Sequence, residues 1–186
     1  MRKSLGAALL ALGVTTLSHG FDGSGSDGRE SGERGGQRIL KVFDGQGKVV
    51  GPLVSYEPLG TVLNVNGAMI FAPIERVSIN NGSQYSASQF EWAGNFSAYL
   101  TPDCSGSPLI TPSVAPTSQL RPAQIVRQGV DATVYIAGDT YSARTPFMSF
   151  RSNGGCVSSS EPLDSWVAES SYSLTQHYPE PLTIHY

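Results

Sequence analysis

DATVYIAG (131–138) is the clearest strand in the chain, a β-branched and aromatic run closed by glycine. YSARTPFMSFRS (141–152) is expected to pair with it across Gly138-Asp139-Thr140. The same texture runs upstream. RILKVFD (38–44), the turn Asp44-Gly45-Gln46-Gly47 and KVVGPLVSY (48–56) read as strand, turn and partner strand. TVLNV (61–65) meets Asn66-Gly67, which favours a type I′ turn because both residues tolerate positive φ, and residues 68–72 form the return strand. IERVSI (74–79) alternates apolar and polar before a second such signal at Asn81-Gly82. SQYSASQFEW (83–92) and FSAYL (96–100) continue the pattern. Residues 101–124, rich in Pro, Ser and Thr, read as a long loop with a short strand at Leu109-Ile110. SWVAES (165–170) and SYSLTQHY (171–178) are the last expected strands. Short strands separated by turn chemistry at a spacing of roughly ten residues predict an all-β fold, an antiparallel β-sandwich or small barrel. No strand is followed by a helical pattern, which argues against an α/β fold.

Composition agrees. In 186 residues the charged fraction is only 15%, and 21 Gly and 12 Pro interrupt the chain, so long helices are not expected. The length allows one domain with a tail. About 150 residues remain once the N-terminal segments are set aside, enough to bury roughly 70% of the unfolded surface.

Residues 1–20, MRKSLGAALLALGVTTLSHG, read as a secretory signal peptide. Arg2 and Lys3 form a basic start, Leu5 to Val14 an apolar stretch, and Ser18 and Gly20 stand at −3 and −1 of a cut before Phe21. The apolar run is about half of the roughly 20 residues a transmembrane helix needs, so no membrane span is expected. Residues 21–36, FDGSGSDGRESGERGG, read as a flexible Gly/Ser-rich spacer. Asp22, Ser24, Ser26 and Glu33 fall at ligand positions of a calcium-binding EF-hand loop, but Asp27 stands where the sharp turn requires Gly. The expected organisation is therefore signal peptide, spacer and an all-β domain over 37–186.

The formal charge is −3, and without Arg2 and Lys3 it falls to −5. That balance argues against nucleic-acid binding and against adsorption to an anionic membrane. Cys104 and Cys156, the only cysteines, imply one disulfide in an exported chain, with a pair of buried free thiols as the alternative. A metal site is a distant third, because His177 and His185 are the only other soft ligands beyond the signal. No dinucleotide fingerprint, phosphate-binding loop or other cofactor motif is legible.

Catalytic motifs are equally sparse. Asp103-Cys104-Ser105-Gly106-Ser107-Pro108 resembles the Gly-Asp-Ser-Gly-Gly-Pro nucleophile motif of trypsin-like serine proteases. A Cys separates acid from Ser, however, and no His lies between His19 and His177 to serve as base. Lys41 and Lys48 flank a hairpin turn and read as solvated charges, with no Ser-x-x-Lys motif. Glu75, Glu91, Asp103, Asp131, Asp139, Glu161 and Asp164 are the acids from which a glycosidase carboxylate pair would be drawn. Trp92, Trp166 and the Tyr residues are candidates for stacking on sugar rings, with Trp92 and Trp166 marking the candidate ligand surface. Packing beside Phe90 is the competing reading for Trp92.

VFDGQGKVVGPLV (42–54), FSAYLTPDCSGSPLI (96–110) and DATVYIAG (131–138) together resemble a recurring, uncharacterised bacterial exported β domain. Such domains follow collagen-like or Gly-rich stalks in surface proteins and phage-tail-like fibres. The resemblance implies a bacterial domain. The signal peptide, the flexible spacer and the lack of a catalytic constellation predict a secreted or periplasmic, non-enzymatic domain for binding or surface display, with a surface glycan, an envelope component or copies of itself as partner. The resemblance supplies no functional residues, and this chain lacks a long regular stalk. An exported glycan-acting hydrolase using a carboxylate pair, and a self-associating tip or envelope module, are the alternatives.

Overall fold

In β9 (Asp131–Ala137) the apolar residues fall at alternate positions: Ala132, Val134 and Ile136 are buried, while Thr133 and Tyr135 point to the opposite face. This period-2 burial, repeated along the chain, builds the fold. The computed structural model describes residues 38–55, 58–94, 96–112, 119–152 and 155–186. The expected signal peptide, the spacer and its calcium-loop-like spacing lie outside the described residues. Residues 37–186 form one unit.

The first sheet contains β1 (Lys41–Phe43), β2 (Val49–Ser55), β3 (Leu59–Val65), β4 (Ala68–Ile79), β5 (Gln84–Trp92) and β14 (Thr183–His185). Its order is β14-β1-β2-β3-β4-β5, antiparallel throughout. Phe90 of β5 exchanges both backbone hydrogen bonds with Leu182, at 2.9 and 2.7 Å, just before β14. The sheet therefore nearly closes on itself as a barrel. The expected hairpin at Asn66-Gly67 forms, with φ of 52° and 87°, as a type I′ turn demands.

The second sheet holds β6 (Ser97–Tyr99), β7 (Pro108–Ile110), β8 (Ala123–Gln128), β9, β10 (Ala143–Pro146), β11 (Ser149–Ser152), β12 (Gly155–Ser158) and β13 (Pro162–Ser173). The order is β12-β11-β6-β7-β13-β9-β8, with β10 also on β13. The main core joins the two sheets: Val42, Ile70, Ile74, Phe90 and Trp92 from the first meet Ile125, Val134 and Ile136 from the second. A smaller cluster gathers Ala98, Leu109 and Phe147, with Phe150 packed against it.

Cys104 and Cys156 form the disulfide, with Cα atoms 5.8 Å apart, and tie the loop after β6 to edge strand β12. The all-β, antiparallel expectation holds; several details do not. YSARTPFMSFRS does not pair with β9: β10 pairs with β13, and β11 lies between β6 and β12. The partner of β9 on one side is β8, which falls partly inside the expected loop, and on the other β13. Residues 165–173 are one strand rather than parts of two, and LTQH begins a four-residue helix, α1 (Leu174–His177). Ser173 caps it by accepting from the Gln176 N–H, so the buried Leu174 turns inward where a strand was expected.

Candidate functional site

Where β3 turns into β4, the hairpin faces the far end of β9. Residues 65–68 form one wall of an open cleft of about 440 Å³, and Ile136 and Ala137 form another. Arg121, which precedes β8, and Glu169 with Ser170 of β13 complete it. Each is positioned by a local backbone cause. The Arg121 N–H donates to the Met69 carbonyl at 2.8 Å, anchoring the approach to β8 on the neighbouring sheet. The pairing of β13 with β9 slips between Ala168 and Ser170, so Glu169 bulges from the ladder. Bulges re-aim side chains in this way. The Glu169 carboxylate lies over Gly138, where an added Cβ would come within 3.0 Å of Glu169 Oε2.

The cleft thus presents one cation and one anion, neither tightly held. Arg121 Nη1 lies 3.7 Å from the fully exposed Asp139 carboxylate, a weak and solvent-screened contact. The volume falls within the usual 300–1,000 Å³ of ligand sites, and polar groups converge on partly apolar walls. The cleft offers a guanidinium to an anion, a carboxylate to a cation or hydroxyls, and the Ser170 hydroxyl.

A second charged cluster stands where the first sheet closes. Glu75 and Glu91 are directly opposite across β4 and β5. Arg127 grips Glu180 with two hydrogen bonds, at 2.7 and 2.9 Å, and reaches Glu91 Oε2 at 2.8 Å. Glu180 Oε1 also accepts the Trp92 N–H at 2.7 Å. Glu75 is exposed as a residue, yet its carboxyl is partly withdrawn from water. That desolvation, with the Glu91 charge, raises its pKa above the ordinary carboxylate value, and Arg127 opposes the rise. The Arg127 guanidinium is held more firmly protonated, chiefly by its hydrogen bonds to Glu180.

The other expected residues scatter. Trp92 is 0% exposed: it shares the inward parity of Phe90, and its Nε1 donates to the Tyr178 carbonyl. The ligand-surface expectation is therefore corrected for Trp92, because burial leaves it no face for a sugar. Trp166 is half-buried, opposite Ile110 of β7. The protease-like segment is a hydrogen-bonded turn, in which Ser105 Oγ donates to Asp103 Oδ1 at 2.7 Å and Ser105 N–H donates to Thr101 Oγ1 at 3.1 Å. Those hydroxyls hold the Asp103 carboxyl below its usual value, Ser105 first and Thr101 second. Asp131 starts β9, and Asp164 sits opposite Arg144 across β13 and β10. Glu161 is exposed just before β13. Among the described residues no group of three or more His, Cys, Asp or Glu side chains is placed to hold a metal ion, and no helix is long and apolar enough to cross a membrane.

Sequence reasoning missed Arg121 and Glu169. Arg121 sits in the stretch read as loop, and the bulge at Glu169 has no turn residue to announce it. Arg127 and Glu180 were missed because their meeting depends on closure of the first sheet, 53 residues apart in the chain. No protein-family model, curated protein or solved structure matches the chain.

Proposed function

We propose that this chain is an exported, non-enzymatic β domain that binds or displays, taking its ligand in the cleft between the β3–β4 turn and β13. One observation carries the reading: the cleft brings together Arg121 and Glu169, a guanidinium whose ionic contact, to the solvated Asp139, is long at 3.7 Å, and a carboxylate. The disulfide suits an oxidising compartment, in keeping with export. The resemblance to domains that follow bacterial stalks points the same way.

The test is titration of the full chain, followed by backbone NMR, with short peptides and with acidic and neutral oligosaccharides. The reading expects shifts at residues 65–68, 136 and 137 that Arg121→Ala or Glu169→Gln weakens at least tenfold. A panel that leaves those signals untouched would sink it.

A hydrolytic reading has one observation in its favour. Glu75 and Glu91 stand directly opposite across β4 and β5, and burial pushes the Glu75 carboxyl toward its protonated form, as a general acid needs. It requires polysaccharide turnover by the purified protein that Glu75→Gln abolishes without unfolding the chain.

A further inference from the structure

We propose that the outer face of the β8–β9 hairpin is a subsite for one neutral sugar residue of a glycan. The proposal rests on the reading of this chain as a binding domain, but uses a different surface from the cleft.

The hairpin fixes the geometry. Gln124 pairs with Tyr135, Val126 with Thr133 and Gln128 with Asp131. Side chains alternate along a strand, so these six share one face: Gln124 is buried there, donating to Phe96 and Ser97, and Val126 is buried, so the face opens to solvent toward the turn, at Gln128 and Asp131. The opposite face carries Ile125, Ala132, Val134 and Ile136, all locked in the main core. The hairpin therefore cannot rotate, and its outer side chains are held in register by two hydrogen-bonded strands.

On that face Val126, Gln128, Asp131, Thr133 and Tyr135 line a recess of about 180 Å³. It is smaller than a typical drug-sized pocket and suits a single ring. Gln128, Asp131, Thr133 and Tyr135 contribute an amide, a carboxylate, a hydroxyl and a phenol. None of these side chains is committed to a hydrogen bond in the structure of the described residues. Together they offer donors and acceptors at several angles, the complement that neighbouring hydroxyls of a sugar require. Tyr135 adds an aromatic edge to the wall. Its phenol is held protonated, chiefly by burial and then by Tyr99, so it remains a donor.

Charge narrows the ligand further. Among the described residues the only ionic group lining the recess is Asp131. Arg127 lies at the alternate position of β8 and is bound to Glu180 and Glu91. The recess thus disfavours phosphates and uronic acids and accepts a hydroxyl-rich neutral group.

The test is calorimetric titration of the full chain, disulfide intact, with neutral hexasaccharides of glucose, mannose, galactose and N-acetylglucosamine. At least one should bind. Asp131→Asn and Gln128→Ala, both exposed and expected to leave the melting temperature unchanged, should each weaken binding at least tenfold, and Arg121→Ala should not. A sugar whose binding survives both hairpin variants overturns the proposal, as does the absence of binding by all four. Peptide or acidic-sugar binding lost with Arg121→Ala, without neutral-sugar binding, overturns this inference while leaving the binding reading of the cleft intact. Cationic peptides that bind through Asp131 in place of sugars overturn the choice of ligand class.

Discussion

At the residue scale, Glu75 sets a sign that solution measurements will read directly. Its pKa is raised in the folded state, so folding favours the protonated carboxyl. The stability tied to that proton is fully present below the unfolded carboxylate range near pH 4, and is lost as pH rises through the folded value. Glu75→Gln removes the cost of the ionised form. It should raise stability in urea unfolding at pH 7.5 by less than about 1 kcal/mol, given the exposure of the residue, and the gain should vanish below about pH 4. Two arginines make a second contrast. Arg127 is mostly withdrawn from water and holds two glutamates at 2.7 to 2.9 Å. Arg127→Ala leaves like charges facing each other and should cost about 2 kcal/mol by the same measurement, a loss reduced from that of a fully buried pair by residual hydration. Arg121→Ala should cost under about 0.5 kcal/mol, because Asp139 is fully solvated. Equal losses would mean that the Arg127 cluster is no tighter than a surface contact.

At the level of elements, the disulfide restrains the strand with the least burial. All four residues of β12 are exposed, and it lies at the sheet edge. The bridge spans a sequence separation of 52, so the chain-entropy account predicts that reduction lowers stability by about 4 kcal/mol. A urea midpoint unmoved by reductant would refute that account here. The elements also show where the sequence could be read. Hairpins announced by Asn-Gly turns were legible, because positive φ is a local requirement that the residues state openly. Disulfide pairing was legible from a count of two. β8 was obscured, since the prolines and polar residues before it resemble a loop while its burial is decided by the sheet it joins. The sequence of β13 reads as two strands because its three partners, β10, β7 and β9, act on successive parts of it and no single pattern spans them. The candidate site was the least legible part. Arg121 and Glu169 are ordinary surface residues until a bulge and a distant hairpin bring them to one cleft.

At the scale of the whole molecule, closure of the first sheet depends on the segment around Glu180 and Leu182. Leu182 is wholly buried, and Pro179 accepts the Gly45 N–H at 2.6 Å, so close that a Cβ on Gly45 would meet the Glu180 carbonyl at 2.8 Å. A chain ended after residue 178 should lose cooperative unfolding and show red-shifted Trp emission as Trp92 meets water. A native-like spectrum would show the segment to be dispensable. The register also has a temporal meaning. Lys41 pairs with His185, so a strand made early waits for one made almost 150 residues later. Contacts of such long range fold slowly, because loop closure must precede their reward. While the chain emerges from a ribosome, β1 lacks one neighbour and the β5 edge stays open. The barrel-like sheet therefore cannot lock into its final shape before β14 has been made, and the order of synthesis sets the moment of closure.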